Sequence, residues 1–166
     1  MVYDVQISRE PIKALFDIKG SKNEVGRLLS GIFDSLPKDK NTFVLQKAKT
    51  LMFVGSDHWI LKADLEEEDQ LKALLNPDLV SSSISIVLVS DSLTFFSIEG
   101  FNAKDIMEIS CPLDFHESSF TEDYVTFSEV FGVKALIKRI KNGFEFAVDQ
   151  SFGDMIEDYL NRTVKD

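Results

Sequence analysis

From Ala14 to Lys19 apolar and polar positions alternate with the period of a strand, and Gly20 ends the run. Ser21, with Glu24 three residues later, has the capping-box pattern. Val25, Leu28, Leu29 and Ile32 follow at i, i+3, i+4 and i+7. That spacing predicts a helix that stops before Pro37. Strands are expected over Thr42 to Lys47 and Leu51 to Val54, and Gly55 to His58 turns the chain into Trp59-Ile60-Leu61 as a hairpin. Asp64 to Asp69 opens a helix with acidic residues, suited to the positive end of the helix dipole. Its buried face is expected to be Leu71, Leu74 and Leu75, and Asn76-Pro77 stops it. Ahead of all this, residues 1–11 read as a short extended arm.

The second half repeats this order. Ser83 to Val89 and Leu93 to Ile98 read as strands, and Gly100 ends the second. Asn102 is placed to cap a helix whose inner face is Ala103, Ile106 and Met107, with Pro112 as its stop. A polar loop with embedded aromatics, 113–123, leads to strands over Tyr124 to Val130 and Val133 to Lys141. Asn142-Gly143 predicts a type I′ hairpin turn, because both residues tolerate positive φ. Phe144, Phe146 and Val148 then alternate with Glu145, Ala147 and Asp149. Ser151 is placed to cap a last helix with Met155, Ile156, Tyr159 and Leu160 inward.

Phe16-Asp-Ile-Lys-Gly20 and Phe96-Ser-Ile-Glu-Gly100 share F-x-I-x-G at a separation of 80 residues, and each precedes a helix start. The motif is short enough to arise by coincidence in an α+β chain. With the repeated order of caps, prolines and hairpins it predicts a duplicated α+β fold with mostly antiparallel sheets. The 166 residues are expected to form a single domain, 1–166, with pseudo-repeat halves of approximately 12–78 and 79–162.

Composition narrows the function. Hydrophobic residues are 44% and charged residues 28%, which suits a globular domain and excludes collagen, low-complexity disorder and a disulfide scaffold. The net charge of −10 repels phosphate backbones and anionic lipid surfaces, so neither nucleic acid nor membrane is an expected partner. A lone cysteine, Cys111, cannot form an internal disulfide, which suits a reducing compartment. No stretch reaches the roughly 20 apolar residues of a membrane-spanning helix. A cytoplasmic location is expected.

The search for chemistry is mostly negative. The eight glycines form neither G-x-G-x-x-G nor G-x-x-x-x-G-K, and there is no G-x-S-x-G elbow. Cys111, Asp114 and His116 could be drawn as a metal site or a thiol–imidazole pair. A zinc shell would need a further ligand cluster, and Cys111 at a helix C-terminus faces a dipole that opposes a thiolate. Packing of Cys111 as a small hydrophobe is the better reading. Five carboxylates between Asp64 and Asp69 lack the spacing and central glycine of a calcium loop and read as a solvated helix start. Trp59 fits a strand's buried face, with an interface role open. No catalytic, cofactor-binding or metal-ligating residue is assigned. Phe is abundant, at 14 residues, and Phe115, Phe120 and Phe131 lie outside clear core periodicity. They are the candidate partner interface, with packing against the same chain as the alternative.

Several short motifs together carry a resemblance. Cys111-Pro-Leu-Asp-Phe-His116 resembles the Pro-Leu-Asp-Leu/Phe-His signature of the gamma subunit of heterotetrameric sarcosine oxidase. Gln150-Ser-Phe-Gly153 and the helix to Leu160 are similar to that family's closing Arg-Ser-Phe-Ala and final helix. Leu51 to Leu61 is similar to its Leu-Trp-Leu-Gly-Pro-Asp-Glu-Trp-Leu-Leu segment, and Ser90-Asp91 and Thr94 ahead of Glu99-Gly100 match its strand and turn before the second helix. The resemblance runs from about Phe16 to Leu160. Gln150 stands where the family has Arg, Ser56 and His58 where it has Pro and Glu, and Phe101 where it has Pro.

The resemblance implies a non-catalytic small subunit, bound to larger flavoprotein subunits in a heterotetramer of one-carbon metabolism. The complex oxidatively demethylates sarcosine to glycine. It passes the methyl carbon to tetrahydrofolate, or releases it as formaldehyde, and forms hydrogen peroxide. FAD, FMN, NAD and tetrahydrofolate would belong to the larger subunits. The implied fold is that of the folate-binding domain of glycine-cleavage aminomethyltransferase, a duplicated β–β–α–β–β–β–α unit with exchanged first strands. A stand-alone folate-binding or one-carbon-metabolism protein on the same fold is the alternative.

Overall fold

The computed structural model describes residues 3–76 and 81–165. The chain divides into two compact units: an N unit, Ile12–Asp91, and a C unit, Met1–Pro11 with Ser92–Asp166.

In the N unit, strand β2 (Lys13–Lys19) runs into helix α1 (Lys22–Leu29). Ser21 caps α1, its hydroxyl accepting the Glu24 N–H at 3.4 Å and donating to the Glu24 carboxylate at 2.8 Å. Strands β3 (Thr42–Gln46), β4 (Lys49–Gly55) and β5 (His58–Asp64) follow, then a 3₁₀ turn (Leu65–Glu67), helix α2 (Glu68–Leu74) and strand β6 (Ser85–Leu88). The sheet order is β3-β4-β5-β2-β6, with antiparallel pairing throughout. Alternate strand residues Phe16, Ile18, Trp59 and Leu61 join Val25, Leu29, Leu71 and Leu75 of the helical segments in one buried cluster. Trp59 stacks on Phe53 with ring centroids 3.9 Å apart and donates its indole N–H to the Gly20 carbonyl at 3.1 Å.

The C unit starts with the amino-terminal arm, which forms strand β1 (Gln6–Arg9). Strand β7 (Leu93–Glu99), helix α3 (Ala103–Ser110) and strands β8 (Val125–Val130), β9 (Val133–Ile140) and β10 (Gly143–Asp149) follow. A 3₁₀ turn (Gln150–Phe152) leads into helix α4 (Gly153–Lys165). The order is β1-β7-β10-β9-β8, again antiparallel.

The two halves of the sequence therefore have the same element order, and the two sheets the same strand order. The F-x-I-x-G strands, β2 and β7, occupy equivalent places. The first strand of each half is exchanged: β1 pairs with β7, and β6 pairs with β2. The fold is the expected duplicated α+β arrangement of β–β–α–β–β–β–α units. The expected meeting point of the halves, at 78 and 79, lies outside the described residues, as does Pro77. The compact units part at Pro11/Ile12 and Asp91/Ser92, because each exchanged strand belongs to the sheet it completes.

Several local expectations are corrected. Helix α1 ends at Leu29, where the N–H groups of Ile32 and Phe33 both turn back to the Leu29 carbonyl and Phe33 enters the core. Leu74 is exposed, because the i, i+4 pair Leu71 and Leu75 takes the inner side of α2. Tyr159 is 40% exposed for the same reason: Ile156 and Leu160 face the core, and Tyr159 meets Phe131 edge-on at 5.4 Å.

Asn102 does not cap α3. Its backbone is not extended as a cap requires; its side chain accepts the Asp4 N–H at 2.9 Å and donates to Asp105 at 2.6 Å. Asp149, not Ser151, caps the last helical run: its carboxylate accepts the Ser151 N–H at 2.9 Å, because the 3₁₀ turn starts the run earlier.

Positive φ in the hairpin turns falls at Lys47-Ala48, at Asp57 and at Phe131-Gly132, not at Asn142-Gly143. Gly143 is the first residue of β10, paired with Glu99 of β7. A Cβ there would overlap the Ile98 carbonyl oxygen and approach Glu99 Cα at 3.0 Å. Glycine is present for close backbone approach, not for turn geometry.

Candidate functional site

The Pro-Leu-Asp-Phe-His segment forms a wound loop rather than a catalytic constellation. The Asp114 carboxylate accepts the His116 N–H at 2.8 Å and the Ser119 hydroxyl at 2.7 Å. The N–H groups of Ser119 and Phe120 donate to the His116 carbonyl at 2.9 and 2.8 Å. These bonds curl the loop so that both phenylalanines drop inward. Phe115 and Phe120 are 0% and 1% exposed, with ring centroids 5.1 Å apart. Phe115 meets Phe144 edge-on at 4.8 Å, and Phe120 meets Tyr124 at 4.8 Å.

This corrects the candidate interface. Phe115 and Phe120 belong to the C unit's own core, so neither ring is available to a partner. Phe131 is half-buried against the same core, its ring covered by Tyr159. Sequence periodicity failed here because the loop has no regular period, and its side-chain bonds decide where the rings point.

Asp114 is held below the ordinary carboxylate range, first by the His116 N–H and then by the Ser119 hydroxyl. A carboxyl lowered in the folded state contributes stability at neutral pH that is lost as the pH falls. Asp114→Asn is therefore expected to lower the melting temperature at neutral pH, and the gap to wild type should narrow as the pH falls through and below the ordinary carboxylate range. Melts across that range check it; a constant gap would mean that ionised Asp114 does not support the loop.

Cys111 is buried at the end of α3, with Ser128 Oγ 4.0 Å from its sulfur, and burial pushes its thiol up. His116 faces Ser118 instead, Nδ1 to Oγ 2.8 Å. The two do not form a nucleophile pair. Cys111→Ser is expected to cost about 1 kcal/mol through the buried hydroxyl. A denaturant melt measures this, and a stabilising result would contradict the packing role.

One pair escaped the sequence reading. His58 Nε2 lies 3.1 Å from the Asp17 carboxylate across β5 and β2. An imidazole oriented by a carboxylate can serve as a general base, yet no serine hydroxyl bonds to His58 among the described residues. His58 lines an N-unit cleft of about 670 Å³ together with Ser21, Glu24, Ser56 and Ser83. Ser83 and Ser21 both donate to Glu24 and hold it below the ordinary range, so these hydroxyls tie the approach to β6 onto the start of α1. Nothing in the sequence pattern signals that Asp17 and His58 meet; the β2–β5 register brings them together.

Among the described residues no three His, Cys, Asp or Glu side chains gather as a metal shell. The glycines that approach backbone closely do so against their own chain: Gly143 against Ile98, and Gly100, at φ +125°, against the Asp4 carbonyl, which an added Cβ would meet at 2.5 Å. At these two positions the close approach is taken up by the chain's own backbone. Among the described residues no helix is long and apolar enough to cross a membrane.

No protein-family model and no curated protein matches the sequence. The fold is similar to that of known structures. A chain of the heterotetrameric sarcosine oxidase from Corynebacterium sp. U-96, solved in complex with pyrrole 2-carboxylate, superposes with a TM-score of 0.82 at 16% identity. The match covers 97% of this chain and 84% of that one. The glycine cleavage system aminomethyltransferase T from Bartonella henselae matches at TM-score 0.68 and 12% identity, over 96% of this chain. The chain spans 46% of that protein's length. The ligand-free regulatory subunit of aspartate kinase from Thermus thermophilus matches at TM-score 0.53 and 10% identity. The chain has the aminomethyltransferase-like fold that its motifs suggest.

Proposed function

We propose that this chain is the non-catalytic gamma-type subunit of a heterotetrameric sarcosine oxidase. The observation that carries the reading is the near-mutual coverage with a chain of that enzyme, 97% against 84% at TM-score 0.82. The match to aminomethyltransferase T, in contrast, takes up less than half of the larger protein. The described residues support the reading from the other side: the phenylalanine loop, Cys111 and the close-packed glycines all serve packing.

In this role the chain packs on larger flavoprotein subunits in the cytoplasm. Those subunits hold FAD, FMN, NAD and tetrahydrofolate, demethylate sarcosine to glycine, transfer the methyl carbon to tetrahydrofolate and form hydrogen peroxide. The purified chain alone is expected to be colourless and to release no peroxide from sarcosine. Isolated through a tag on this chain, the native assembly should show flavin absorbance and sarcosine-dependent peroxide. Flavin absorbance or peroxide release by the chain alone would overturn the reading. The fold shared with aminomethyltransferase T favours one competitor, a stand-alone folate-binding protein. Saturable tetrahydrofolate binding by the isolated chain, with no flavoprotein partner, would replace the proposal by that one.

A further inference from the structure

We infer that a cationic cleft beside Phe101 in the C unit docks an acidic segment of the partner protein; the partner's identity as the larger flavoprotein subunit rests on the function proposed above. Three segments distant in sequence meet here, 100–104, 115–117 and 139–144, around a cleft of about 390 Å³. In a chain of net charge −10, this cleft is lined by the cations Lys104, Arg139 and Lys141 against one carboxylate, Glu117, with the His116 ring beside them. Arg139 is held over the Phe144 ring at 5.0 Å, with Glu117 3.9 Å away and largely in solvent. Lys104 reaches Glu108 on its own helix at 3.3 Å. Lys141 is exposed and has no ion-pair partner among the described residues.

Phe101 forms the lip and is 88% exposed, the most exposed large apolar side chain among the described residues. Its backbone is anchored on both sides. The Gly100 N–H donates to the Asn142 carbonyl at 3.0 Å, and the Asn102 N–H to the Asp4 carbonyl at 3.2 Å. An aromatic ring held in water on a fixed backbone loses little entropy when covered, which is the profile of an interface anchor. A small anion inside the cleft would leave this ring in solvent. A protein segment carrying carboxylates next to an apolar side chain covers both features. Beyond Phe101, Asp4 and Glu99 line a depression of opposite sign, which gives the docked segment a direction.

The test uses the assembly captured at low salt from its own cells through a tag on this chain, the larger subunit being identified by mass spectrometry and flavin absorbance. Lys104→Glu with Lys141→Glu, and separately Phe101→Asp, change exposed side chains and should leave the melt of the chain in place. Each is expected to lower the recovered flavoprotein roughly tenfold. In the wild-type complex, carbodiimide, which joins amines directly to carboxylates, should cross-link Lys104 or Lys141 to acidic residues of that subunit. Recovery at wild-type level by both variants, or cross-links confined to other lysines, overturns the inference and leaves the proposed function standing. A collapsed melt in both variants assigns these residues to the fold and also overturns it. A wild-type chain that recovers no flavoprotein overturns the proposed function, and the docking assignment falls with it.

Discussion

Phe120→Ala is expected to destabilise the C unit by about 3–5 kcal/mol, the cost of removing a fully enclosed phenylalanine ring and leaving a cavity. Phe120 lies among Phe115, Phe144 and Tyr124, with centroid separations of 5.1, 5.8 and 4.8 Å. Neighbours on three sides cannot all collapse inward, because Phe144 is fixed in β10 and Tyr124 leads into β8. The edge-on geometry adds to the loss beyond buried area. A urea melt monitored by tyrosine fluorescence or far-UV dichroism measures it. A change under about 1 kcal/mol would return Phe120 to the surface, where the sequence alone left room for it.

Gly143→Ala should cost about 3 kcal/mol, a large effect for one methyl group. The added Cβ meets backbone on every near side: the Ile98 carbonyl oxygen, and Ile98 C and Glu99 Cα at 3.0 Å. Backbone in a paired strand cannot rotate away as a side chain can, so β10 and β7 must separate at their end. Gly132→Ala is the control: its Cβ would meet nothing within 4 Å, though its φ of +76° adds local strain. If the closeness of β10 to β7 decides, Gly143→Ala loses more stability in a denaturant melt than Gly132→Ala. An equal loss would mean that turn conformation, not strand approach, matters at position 143.

The strands and helices were legible because their side chains obey simple periods. Phe16, Ile18, Val25 and Leu29 stand at strand and helix spacing and are all buried. Ser21 and Glu24 bond as a capping box because that interaction is local. The interface reading of Phe115 and Phe120 failed because an Asp114-centred network folds them inward, and such a network carries no period. Asn142-Gly143 misled for a related reason. The dipeptide suits a positive-φ turn, but the neighbouring strand needs Gly143 for clearance.

The sequence by itself determined most of the strands and helices, most of the residues they bury (Leu74 and Tyr159 excepted), and that the two halves repeat one order of elements. Those properties depend on residues within one or two turns of each other. The exchange of β1 and β6 was implied by the family resemblance and by no local pattern; tertiary structure displays it in the strand pairing. Both are four-residue strands, and hydrogen-bond pairing with β7 and β2 gives each its partner. Tertiary structure alone decided the site: Phe101, His116 and Lys141 lie on three separate segments, and folding brings them to one cleft whose charge opposes that of the whole chain.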